Sequence, residues 1–188
     1  MQNFTYRLAA CAAVLSLACG GALAQAPKAA ATTAKPAAPA PAQTGPKQIG
    51  KFDDWTAATH QEGGSSVCYA FSKPIKSEAK PDIANRGAVI LTISERKTPR
   101  DTVALEVGFP YPANAVATVK IDKTTLEFYT DKRNAFARDG AAVVQAFKKA
   151  SQVAIVSPGP KKESVTDTFS LKGFGSAYDA IVKACPAK

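Results

Sequence analysis

Between Val89 and Tyr129 the chain alternates apolar and polar residues with a period of two, run after run, and no other feature limits its fold so tightly. Val89, Leu91 and Ile93 interleave with Ile90, Thr92 and Ser94. Val103, Leu105, Val107 and Phe109 interleave with Ala104, Glu106 and Gly108. Ala117, Val119 and Ile121 interleave with Thr118, Lys120 and Asp122, and Leu126 and Phe128 with Glu127 and Tyr129. Successive side chains of a strand point to opposite faces, so each run makes a strand with one face buried. Gly63-Gly64, Thr98-Pro99-Arg100-Asp101, Pro110-Tyr111-Pro112 and Asp122-Lys123 punctuate the runs as turns. "WTAATH" and "SSVCYAF" form a hairpin about Gly63-Gly64. "QVAIVSP" and "ESVTDTFSLKG" form a late pair joined through Gly159-Pro160-Lys161-Lys162.

Two helical patterns interrupt the strands. Asp139–Ser151 has Asp139 placed to cap the first turn, Val143, Val144 and Phe147 on one stripe, and Lys148 and Lys149 at the end, where positive charge suits the helix dipole. At the C-terminus Phe174, Ala177, Tyr178, Ile181 and Cys185 recur at spacings of three and four, the stripe of a helix facing a core. Gly173 turns the preceding strand into that helix, and Ser176 with Asp179 reads as a capping box. The expectation is a mostly β, β-sandwich-like domain with two packed α-helices.

That domain does not begin at residue 1. Arg7 followed by the apolar run Leu8–Ala18 and by Ala22-Leu23-Ala24 has the order of a secretory signal with its cleavage site, and the run is too short to span a bilayer. Leu8-Ala9-Ala10-Cys11 has lipobox chemistry but no apolar run before it, and Leu17-Ala18-Cys19 lacks a leucine three residues before the cysteine, so lipidation is not the expected outcome. Residues 1–24 are therefore expected to be a signal peptide. Residues 25–47 hold Ala, Pro, Thr, Gln and Lys without a large apolar side chain, and such a segment cannot offset its ordering entropy; it is expected to be a disordered linker. Residues 48–188 form the folded domain. The chain's net charge is +9, of which the domain carries +5 once Arg7, Lys28, Lys35 and Lys47 are set aside.

Export also settles the cysteines. Cys11 and Cys19 leave with the signal, and Cys68 and Cys185 remain. An even count in an oxidising compartment favours a disulfide between them. It would close a loop of more than a hundred residues, worth about 4–5 kcal/mol in the chain-entropy model.

No motif specifies a reaction. His60 is the single histidine, and no G-x-S-x-G elbow accompanies it. Ser94-Glu95-Arg96-Lys97 matches S-x-x-K but ends a strand and lacks the companion motifs. Gly173-Phe174-Gly175 lacks the third glycine and the βαβ setting of a dinucleotide loop. One histidine and two separated cysteines give no metal-ligand spacing, so neither a metal nor another cofactor is expected. Glu106 and Glu127 alternate with apolar residues and should face solvent. Trp55, Tyr69, Phe71 and Phe174 are assigned to the core. The basic residues stand above background: Lys73, Lys76 and Lys80 bracket a proline-rich loop, Arg96, Lys97 and Arg100 fill a turn, and Lys132, Arg133 and Arg138 follow a strand. They are the candidate anion-binding residues, weighed against a plain solvated surface. An exported chain without base-stacking motifs is not expected to bind nucleic acid.

"GKFDDWTAATHQEGGSSVCYAFSKPIKSE", "NRGAVILTISERK" and "VTDTFSLKGFGSAYDAIVKAC" together resemble the invasion-associated locus B family over about residues 48–186. The specific pieces are Phe52 to Trp55, Cys68-Tyr69-Ala70, Ser170 to Phe174 and Cys185. The resemblance implies a β-rich exported domain of a Gram-negative bacterium, periplasmic, outer-membrane-associated or secreted, with a role at the envelope or in host-cell entry. The family defines no catalytic residues to carry over, and the Ala/Pro tail departs from its minimal members. Expected partners are an anionic envelope polymer, a lipid or a host surface component, or an envelope protein. The alternatives are a periplasmic enzyme acting on cell-wall material and a structural scaffold that holds a partner through a sheet edge.

Overall fold

The computed structural model describes residues 45–187; the expected signal peptide and most of the expected linker lie outside the described residues. Eleven strands and two helices follow in order: β1 (Lys47–Phe52), β2 (Trp55–Glu62), β3 (Ser65–Ser72), β4 (Lys76–Lys80), β5 (Ile90–Glu95), β6 (Thr102–Glu106), β7 (Val116–Ile121), β8 (Thr124–Asp131), β9 (Asn134–Ala137), α1 (Gly140–Phe147), β10 (Gln152–Pro158), β11 (Ser164–Ser170) and α2 (Phe174–Ala184). All pairings are antiparallel, in the order β1-β2-β3-β5-β6-β9-β8-β7-β10-β11-β4.

That order forces the sheet to curl. β3 and β4 stand eight places apart in it, which in a flat sheet is roughly 38 Å at about 4.8 Å per strand. Only Lys73, Pro74 and Ile75 join them, a reach of about 14 Å. The two ends of the sheet therefore meet, as a sandwich-like fold requires. Bonds cross the seam: the Trp55 indole N–H donates to the Ser170 carbonyl at 2.9 Å, and the Asp54 amide donates to the Lys172 carbonyl at 3.4 Å.

The alternation places the core where the sequence puts it. Leu91, Ile93, Val103, Leu105, Ala117, Val119, Ile121 and Phe128 are buried, together with Val153, Ile155, Val165 and Phe169 of the late pair. The helices close the interior. In α1 the Asp139 carboxylate accepts from the Ala142 amide at 2.9 Å, and Val143, Val144 and Phe147 are buried. The helix stops at Phe147, so Lys148 and Lys149 lie at and beyond its cap. In α2, Phe174 meets Trp55 edge-on at 5.0 Å and Phe147 at 5.4 Å. Cys185 caps α2 and is bonded to Cys68 of β3, with Cα atoms 5.9 Å apart and 117 residues between them in sequence.

Three features depart from the sequence reading. The capping box does not form: α2 begins earlier, at Gly173, whose φ of 83° suits glycine and where a Cβ would collide with the Phe52 carbonyl. β4 is a strand where a proline-rich loop is expected. Its "KSEAK" has no buried alternation, and backbone pairing to β11 from Lys76–Thr168 to Lys80–Ser164 makes it one. β1 and β9 are likewise strands by pairing; β9 has only four residues between β6 and β8. The two edge strands carry Lys47, Lys51, Lys76 and Lys80, charges that discourage further pairing.

Candidate functional site

Strand parity decides what each face of the first half of the sheet offers. Cys68 points inward to reach Cys185, so Ala70 and Ser72 also point inward, and Tyr69 and Phe71 point outward. This corrects the assignment of Tyr69 and Phe71 to the core; Trp55 and Phe174 are fully buried there as expected. The parity of a bonded cysteine was the signal that separates the two pairs. Tyr69 and Phe71 are half-buried and stack with ring centres 5.9 Å apart, and His60 meets Tyr69 edge-on at 5.4 Å.

Phe71 belongs to a rung that crosses the outer face in register: Phe71, Thr92, Ala104, Phe136, Tyr129 and Val116, on β3, β5, β6, β9, β8 and β7. Phe136 and Tyr129 stack at 5.5 Å, and the Arg138 guanidinium lies 5.4 Å from the Tyr129 ring. The small side chains of Thr92 and Ala104 separate the two aromatic pairs. Here the surface sinks into an open groove of about 420 Å³, lined also by His60, Ile90, Ser94, Arg96, Glu106 and Asn134. Glu106 is half-buried in the groove rather than free in solvent, whereas Glu127 is exposed as expected.

The nine candidate cations fall into three places. Lys73, Lys76 and Lys80 lie along the β3–β4 link and the edge strand, and Lys76 pairs with Glu78 at 3.1 Å. Lys132 and Arg133 form the β8–β9 turn, with Arg138 just past β9. Only Arg96, Lys97 and Arg100 converge, lining a cleft of about 290 Å³ with Gly64, Ser65, Ser66 and Cys185. Arg96 borders both the cleft and the aromatic groove, so the two are one continuous surface.

The three cations are not equally available. Arg96 sits 3.2 Å from Glu62 at the surface, and Lys97 is exposed without an ion pair among the described residues. Arg100 is held in place. It lies 2.7 Å from the Glu95 carboxylate and donates to the carbonyls of Cys185 at 2.8 Å and Arg96 at 3.3 Å. Glu95 ends the inward row of β5 and is fully buried. Burial, with the neighbouring Asp101 carboxyl adding to it and Arg100 opposing, pushes the Glu95 carboxyl up to about 7. Asp101 in turn accepts a hydrogen bond from the Tyr178 hydroxyl at 2.6 Å; burial first, then Asp101, hold that phenol above its ordinary range. The cluster fastens the β5–β6 turn to α2 beside the disulfide.

The raised Glu95 carboxyl has a consequence for stability. The folded chain holds a proton on Glu95 that the unfolded chain releases near 4.5, so ionising it works against folding. This contribution is absent below about pH 4.5, grows through the window up to about pH 7 and is complete above it. Stability should therefore fall on going from pH 5 to pH 8, by on the order of 1–3 kcal/mol from this group. Thermal midpoints of the protein and of Glu95→Gln measured across that range check it: the variant should lose this slope, and parallel curves would refute the assignment.

One ion pair that sequence reading missed lies elsewhere. Arg86 grips Asp167 with both guanidinium Nη atoms, and Asp167 is fully buried. Neither residue belonged to a cluster along the chain, and only the pairing of distant segments brings them together.

A family model described as invasion associated locus B (IalB) protein matches residues 55–182. Among solved structures, the crystal structure of invasion associated protein B from Bartonella henselae is similar in fold. It has a TM-score of 0.53 and 14% identity, with 72% of this chain and 95% of that one covered. No curated protein matches the sequence.

Proposed function

The chain belongs to the invasion associated locus B family, and from that premise we propose that it is an exported, non-enzymatic binding protein of the bacterial envelope that takes an anionic ligand on the surface around Arg96. The convergence of Arg96, Lys97 and Arg100 on one cleft, continuous with an aromatic groove, carries this reading. The disulfide and the signal-like N-terminus support export. Arg100 shapes the cleft, while Arg96 and Lys97 face the ligand. A scaffold acting through a sheet edge has less support, because lysines guard both edges.

Binding of the mature chain to three polyanions, immobilised heparin, polyphosphate and phosphatidylglycerol vesicles, tests the reading. Binding to at least one of them should weaken as salt rises, and Arg96→Glu with Lys97→Glu should reduce it by about tenfold or more. Lys132→Glu with Arg133→Glu, in the β8–β9 turn and outside the lining of both the cleft and the groove, should leave it nearly unchanged. Equal loss from both double variants, or no binding to any of the three, would refute a site at Arg96.

A further inference from the structure

We infer that the ligand of this surface is an acidic polysaccharide, with sugar rings laid on Tyr69 and Phe71 and its carboxylates turned toward Arg96 and Lys97; this deepens the anionic-ligand reading and rests on it. The groove lies on the face of the sheet, not at an edge. β3, β5 and β6 are each paired on both sides, so an added peptide strand finds no free backbone groups there and recognition must go through side chains. A sugar ring offers what those side chains match: a C–H face for an aromatic ring and a rim of hydroxyls for polar neighbours.

The rungs supply both. The aromatic rung is flanked on one side by Tyr69 with Ser94 and on the other by Glu106 with Asn134. Thr92 and Ala104 keep the floor low between the aromatic pairs, and about 420 Å³ lies within the range of small-ligand sites, roughly 300–1,000 Å³. An acyl chain would call for an enclosed apolar channel, whereas this groove is open to solvent.

Charge gives the ligand its acidity and its direction. Arg96 stands at one end of the groove, with Lys97 beyond it in the adjoining cleft, and Glu106 stands toward the other end, so a carboxylate is drawn to the first and repelled from the second. Among the described residues Lys97 has no ion-pair partner to displace, and Arg96 shares only the surface carboxylate of Glu62.

Titration calorimetry of the mature chain with polygalacturonate, its fully methyl-esterified form and polyphosphate tests the inference. Polygalacturonate should bind, and the ester and polyphosphate should each bind about tenfold more weakly or worse. Phe71→Ala and Tyr69→Ala should each weaken polygalacturonate binding by about tenfold. Thr92→Trp, which fills the groove without removing an aromatic, should abolish it even if the alanine variants fold poorly. Equal binding of polyphosphate and polygalacturonate, insensitive to Phe71 and Thr92, would overturn the sugar assignment while leaving the charge reading to its own variants. A change of Phe71→Ala from dimer to monomer in sedimentation would assign the face to a second copy of the chain and overturn it as well.

Discussion

Removing the Cys68–Cys185 bond is expected to destabilise the folded domain by about 4–5 kcal/mol, the chain-entropy value for a loop of this size. The bond spans 117 residues, almost the whole of the described domain. It joins the front hairpin to the end of α2, the element that covers Trp55. Domains of this size retain only about 5–15 kcal/mol in total, so the loss would leave little margin. Urea unfolding followed through Trp55, the single tryptophan, compares the oxidised protein with Cys68→Ala/Cys185→Ala. The double variant avoids a stray thiol at either position. A difference under about 1 kcal/mol would show that α2 is held by packing alone.

Arg86→Met is expected to destabilise by about 3–5 kcal/mol, because it strands a buried carboxylate. Asp167 has no exposed surface, and among the described residues its side chain accepts, besides Arg86, only from the Ser77 hydroxyl at 2.6 Å. Arg86 is fixed by more than charge: its Nε donates to the Val107 carbonyl at 2.9 Å, and its guanidinium lies 5.4 Å from the Phe109 ring. The pair binds the loop before β5 to β11 and, through Ser77, to the edge strand β4. Desolvation of two charges offsets much of their attraction, so Arg86→Met combined with Asp167→Leu should recover most of the loss. A double-mutant cycle in urea measures the coupling; additive losses would mean that the two charges act independently.

Legibility in the sequence followed burial. Strands with one apolar and one polar face announce themselves, which is why β5, β6, β7 and the late pair were readable residue by residue. β4 and β9 have no such contrast and exist because a neighbour's backbone needed partners. The same limit applies to the candidate site. Nine cations were visible in three groups along the chain, but whether any of those groups share a surface or line a cleft was not, since proximity along the chain says nothing of which turns meet. Tyr69 and Phe71 were misassigned because an aromatic in a strand beside apolar neighbours reads as core until the facing of that strand is known.

From sequence alone came the mostly β character, the two helices, and the expectation of an exported chain in which Cys68 and Cys185 bond, because hydrophobic period, turn residues and the order of an export signal are local or compositional properties. Tertiary structure alone decided the curl of the sheet, the Arg86–Asp167 pair and the joining of an aromatic groove to a basic cleft at Arg96. Those depend on register and on contacts between segments far apart in the chain, and register is set by the packing of the whole sheet rather than by any one strand.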